Sequence, residues 1–134
     1  PLVKRRTYLE IIVIDDERTF LFDQNVNVTY ARTSSEGLVL LAHAWTNYSL
    51  SYGEKINLYL DHDLGPNDDI MSVVDFLYVA ENAAAKNTCS LRDAISSIYV
   101  HSQNPTAADK IIRILGPLFD NVQRVPLPPT NKGA

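Results

Sequence analysis

One cysteine, Cys89, stands in a chain of 134 residues. That excludes an internal disulfide and any cysteine-based zinc site, and it fits a reducing, cytoplasmic setting. No apolar run is long enough to span a membrane or to form a signal-peptide core. Basic residues are outnumbered, twelve against sixteen acidic ones, for a net charge of −4. A sequence-blind grip on nucleic acid through its phosphates needs the opposite balance, so only a local contact to an RNA end is left open. There is no glycine-rich phosphate loop, no Gly-x-Ser-x-Gly elbow and no His-Glu-x-x-His helix. What is present is aspartate. Eleven of the sixteen acids are Asp, and Asp15, Asp16, Asp61, Asp63, Asp68 and Asp69 crowd two short segments.

The remaining composition is that of one soluble domain: 46 % apolar and 21 % charged residues, enough to build a core without staples. Four segments read as buried strands: Leu9 to Ile14, Val26 to Ala31, Ile56 to Leu60 and Ile98 to His101. A weaker fifth covers about Val122 to Val125. Between them apolar residues recur with helical period at Leu38, Leu41, Ala42 and Trp45, at Ile70, Val73, Val74 and Leu77, and at Ala108, Ile111, Ile112 and Leu115. Thr33 with Glu36 forms a capping-box pattern, and Asn104-Pro105 is an N-cap followed by proline. Arg18 to Asn25 is read as a short helix, and 1–7 and 126–134 as loose termini. Strands alternating with helices predict an α/β fold, a doubly wound, flavodoxin-like parallel five-stranded sheet of order 2-1-3-4-5.

In such a sheet a ligand sits beyond the carboxyl ends of the strands, at the switch point beside strand 1. Strand 1 runs into Asp15-Asp16-Glu17-Arg18, strand 3 into Asp61-His62-Asp63-Leu64-Gly65, and strand 4 into His101-Ser102-Gln103-Asn104. Converging carboxylates repel unless a cation or a proton intervenes, and oxygen donors of this kind suit Mg²⁺ or Mn²⁺. The helix opening at Asn104 offers free N–H groups to an anion. A cation seat beside an anion seat is what phosphate-ester chemistry needs. Asp68 and Asp69, just before a helix, read as turn and cap residues. His43 reads as surface or structural, Cys89 as a buried or loop thiol, and His62 stays open between roles.

The Asp15-Asp16 pair and Asp61 resemble the acidic pocket of response-regulator receiver domains. A receiver, however, carries a lysine before a proline at the end of strand 5, where this chain has Arg124-Val125-Pro126, and the final helix of a receiver is not expected here. The set Val13-Ile14-Asp15-Asp16-Glu17-Arg18, Leu60-Asp61-His62-Asp63-Leu64-Gly65 and Val100-His101-Ser102-Gln103-Asn104-Pro105 resembles the receiver-like cyclic-phosphate-processing family of bacteria and phages. It departs at Asn67-Asp68-Asp69-Ile70, where a glycine is expected.

That resemblance implies a metal-assisted phosphoesterase acting on a cyclic phosphate, at an RNA terminus or on a nucleotide. Asp15, Asp16 and Asp61 would seat the cation (Mg²⁺ or Mn²⁺), and Asp63 would orient a bound water. His101 would act as general acid, with Ser102 beside it. Ser102, Asn104 and Arg18 would hold the phosphate. The rival is a catalytically silent receiver-like module that binds a phosphorylated ligand or a protein. Phosphoryl acceptance at Asp61 ranks last for want of the lysine. Finally, alternation puts Asn57, Tyr59 and Tyr99 on one sheet face with no final helix above it, so that face is expected to need a cover, a second copy of the chain among the candidates.

Overall fold

The computed structural model describes residues 9–22, 26–50, 54–83 and 89–126. Strands β1 (Leu9–Ile14), β2 (Val26–Ala31), β3 (Ile56–Leu60), β4 (Ile95–Val100) and β5 (Val122–Arg124) form one sheet of order β2-β1-β3-β4-β5. All four pairings are parallel. This is the receiver, or flavodoxin-like, arrangement, and no helix follows β5 among the described residues.

Alternation along the strands sorts side chains onto two faces. Ile12 and Ile14 of β1, Ile56, Leu58 and Leu60 of β3, and Ile98 and Val100 of β4 share the main core. Helices α1 (Ser34–Ser49), α2 (Met71–Asn82), α3 (Leu91–Ala94) and α4 (Pro105–Leu115) lay their buried residues on that same face. The predicted stripes hold in α2, where Ile70, Val73, Val74 and Leu77 are fully buried, and in α4 through Ala108, Ile111 and Leu115. Helix α1 crosses directly over β1. A Cβ on Gly37 would lie 2.6 Å from Ile14 Cδ1, so the close approach needs the bare backbone that glycine provides. Both helix starts are capped as read: Thr33 Oγ1 accepts from Glu36 N at 3.1 Å, and Asn104 Oδ1 accepts from Ala107 N at 3.2 Å.

The second face is built differently. The step from β1 to β2 runs opposite to every other step, so a right-handed connection must take this face. It does so without a helix from Asp15 to Phe22, which corrects the short helix read over Arg18 to Asn25; residues 23–25 lie outside the described ones. The reason is periodicity. Phe20 and Phe22 are spaced two apart and pack with Ile11, Val13, Val28, Tyr30 and Tyr59 as an extended segment does. These two phenylalanines therefore supply part of the cover that Tyr59 and Tyr99 were expected to need; the two tyrosine rings lie 4.9 Å apart. Strand β4 begins three residues earlier than read. Ser97 is buried in it and accepts a 2.9 Å hydrogen bond from Asn121 Nδ2, which lets a serine take a place in the sheet. The termini read as loose, apart from Pro126, lie outside the described residues.

Candidate functional site

Parallel pairing carries three residues to one rim. Asp15 N donates to Ala31 O at 3.0 Å, Asp61 N to Ile14 O at 3.0 Å, and His101 N to Leu60 O at 2.9 Å. Each residue thus stands one step past its own strand and hangs from the neighbouring one. Ligand atoms of Asp15, Asp61 and His101 lie within 4.8 Å of one another, and all three residues are buried. Above them opens a cavity of about 930 Å³, lined among others by Asp16, Arg18, Asp63, Ser102 and Asn104.

The two central carboxylates live in opposite circumstances. Asp15 Oδ1 accepts from the backbone N–H groups of Glu17 and Arg18 at 3.0 and 2.9 Å. Asp15 Oδ2 faces His101 Nε2 at 3.2 Å and Arg18 Nη1 at 3.3 Å. Burial works against its charge, but the hydrogen bonds from His101, Arg18 and Glu17 outweigh burial and hold its carboxyl below the ordinary range. Asp61 has burial first and then the neighbouring Asp15 charge against it, only partly offset by His101 and Arg18. Its carboxyl is pushed up to about 6. Arg18 Nη1 lies 3.5 Å from Asp61 Oδ2.

The loop carrying Asp15 is pinned by two residues that the sequence did not single out. Arg32 Nη1 donates to the carbonyls of Asp15 at 3.0 Å and Arg18 at 2.6 Å. Tyr30 Oη accepts from Phe20 N at 3.1 Å and donates back to Phe20 O at 3.2 Å. Phe20 in turn meets the His101 ring edge-on, with centroids 5.1 Å apart. The available signal was position alone: both residues sit at the end of strand β2, beside the switch point.

Several expected roles shift. His101 forms part of the cavity floor with no accessible surface, its Nε2 on Asp15 and its Nδ1 without a hydrogen-bond partner. Facing an ionised carboxylate, Nε2 serves as the donor, and this hydrogen bond makes the ring a support for Asp15. Among the described residues the tight cluster has His101 where Asp16 was expected; Asp16 lines the cavity outside that cluster. Asp63 is exposed, and its Oδ1 accepts from Gly65 N at 3.0 Å as a turn. Asp68 caps a helix, though not the one that follows it: it takes Ser34 N at 2.9 Å and Ser34 Oγ at 2.6 Å, closing the start of α1. Asp69 Oδ1 accepts from Met71 N at 2.8 Å. Asn67 adopts φ +64°, doing the work of the glycine expected in that stretch, and Gly65 adopts φ +98°. His62 lines the cavity, His43 is exposed on α1, and Cys89 is free and half-buried. Arg124, in place of a receiver's lysine, reaches the Ser102 carbonyl at 3.3 Å.

The donor set suits a divalent cation: two carboxylates buried close together, one of them destabilised by burial and by the like charge of the other, with a third acid on the cavity wall. Comparison with known proteins agrees with the fold. The family model of the cyclic-phosphate processing receiver domain matches residues 10–116. No curated protein and no solved structure matches the chain. Among the described residues no helix is long and apolar enough to cross a membrane.

Proposed function

The chain belongs to the cyclic-phosphate processing receiver domains, a membership that links it to cyclic phosphate, and from it and the cavity at the strand ends we propose a metal-assisted phosphoesterase that opens a cyclic phosphate. One observation carries the reading: Asp15 and Asp61 are buried close together, and Asp61 bears the cost of that burial and of the neighbouring charge. Asp15, Asp61 and, from the cavity wall, Asp16 would hold Mg²⁺ or Mn²⁺; such an ion supplies neutralisation of phosphate charge and an activated water. His101, itself packed against Phe20, orients Asp15 through Nε2. Ser102 Oγ accepts from Asn104 N at 3.1 Å and keeps its own proton to donate to a phosphate oxygen. Asn104 opens α4, whose first N–H groups and dipole favour the same anion. Arg18 adds a guanidinium on the cavity wall. Asp63 shapes the Gly65 turn and meets water at the rim.

A silent ligand-binding module is the second reading. It is favoured by Arg18, which already places positive charge between Asp15 and Asp61. Turnover separates the two. Nucleoside 2′,3′-cyclic phosphates are incubated with the protein and Mn²⁺ and followed by phosphorus NMR. Ring opening that is lost in Asp61→Asn supports the phosphoesterase; ligand binding without ring opening supports the module. Acetyl-phosphate labelling with intact-mass measurement closes the third route, since Asp61 is expected to take up no phosphoryl group.

A further inference from the structure

Arg18 stands on ground that a divalent cation would need. Its Nη1 is 3.3 Å from Asp15 Oδ2 and 3.5 Å from Asp61 Oδ2, bridging the two carboxylates of the cluster. Both distances are long for charge-assisted pairs, which run at about 2.7–2.9 Å. The guanidinium is therefore held loosely, and its side chain is 30 % exposed on the cavity side. Its backbone is held firmly. Arg18 N donates to Asp15 Oδ1 at 2.9 Å, and Arg18 O accepts from Arg32 Nη1 at 2.6 Å. A pinned main chain under a loosely held side chain lets the charge move by rotamer change alone, with the loop left in place.

We propose that Arg18 is the exchangeable counter-cation of this pocket: it neutralises Asp15 and Asp61 while no metal is bound, and a divalent cation displaces it into the cavity to take the oxygens of a phosphate. The inference rests on the metal seat proposed above and adds two consequences. Metal affinity is lower than the carboxylates alone would give, because Arg18 must first be displaced. Metal and phosphate also help each other, since displacement by the first prepares the receptor for the second.

The sign of one substitution decides the matter. Mn²⁺ binding is measured near neutral pH, without substrate, from the electron paramagnetic resonance of the free ion. The samples are the whole chain, Arg18→Ala and Arg18→Gln, with circular dichroism as the check on folding. Both variants are expected to bind Mn²⁺ about three- to tenfold more tightly, the scale of losing two partly exposed ion pairs. Inorganic phosphate, titrated at saturating Mn²⁺, is expected to bind both variants more weakly than the wild type. If the wild type binds Mn²⁺ and the variants bind it equally or less tightly, Arg18 is a structural clamp and the exchange is overturned while the seat stands. If phosphate binds all three equally, the anion half is overturned. If no sample binds Mn²⁺, the seat itself fails and the exchange with it. Should Arg18→Ala not fold, the longer Arg18→Gln side chain gives the same reading.

Discussion

The loop after β1 and the loop after β3 both deliver an aspartate to the same rim, and they treat it in opposite ways. The first loop satisfies its carboxylate. Asp15 receives two backbone N–H groups, His101 and Arg18, while Arg32 and Tyr30 take up the backbone around it. The second loop spends its other acids elsewhere, Asp63 and Asp69 on their own turns and Asp68 on the start of α1. Asp61 is left to burial and to the charge of Asp15. Like charges brought together by topology must be resolved somehow. This fold resolves one with hydrogen bonds and leaves the other to a proton, a guanidinium or a metal.

The contrast is sharpest in stability. Asp15→Ala leaves His101 Nε2 without its partner beside a buried void, a loss of about 1–3 kcal/mol by the usual cost of an unsatisfied buried donor. Asp61→Asn has the opposite sign. A carboxyl raised from 3.8 to about 6 costs the folded, metal-free protein about 2–3 kcal/mol near pH 7, and the amide removes that cost. Urea unfolding of both variants without metal checks the pair, and a shared sign breaks the comparison. The pH dependence follows from the same shift. Because the folded value is raised, the folded state binds the extra proton. The contribution of Asp61 is therefore fully favourable below about pH 4 and is lost as pH rises through about 6. The advantage of Asp61→Asn over the wild type should accordingly fade as unfolding is repeated at pH near 4, and an advantage independent of pH would assign it to something else.

Smaller effects probe the loops themselves. Gly65→Ala forces an L side chain to φ +98° and is expected to cost about 1–2 kcal/mol. Tyr30→Phe removes the hydroxyl that grips Phe20 on both sides and is expected to cost about 1 kcal/mol. Thermal midpoints measure both. If Tyr30→Phe costs more than Gly65→Ala, the β1 loop depends on that one side chain more than its other contacts suggest.

Much of this was legible in the sequence because parallel central strands read as unbroken apolar runs; LEIIVI and INLYL needed no further context. The strand ends, and hence the meeting of Asp15, Asp61 and His101, followed from strand order. Local chemistry decided less well. Ser96-Ser97 masked the start of β4, since only Asn121, 24 residues away, makes a buried serine acceptable there. The segment of Phe20 and Phe22 reads as helix by its composition, although a spacing of two suits an extended crossover. Asp68 reaches Ser34 across 34 residues, a pairing no local motif announces. His101 reads as a site residue, but its support of Asp15 depends on burial, which only packing reveals.

On the proposed function, Asp61 is held at a cost that a divalent cation relieves. Thermal unfolding of the wild type and Asp61→Asn, near pH 7 with increasing Mn²⁺, tests this directly. Without metal Asp61→Asn should melt higher. As Mn²⁺ rises into the millimolar range the wild type should climb past it by ligand linkage, while the variant stays nearly level. A wild-type midpoint indifferent to Mn²⁺, or two curves that rise in parallel, would mean that no cation is seated at Asp61.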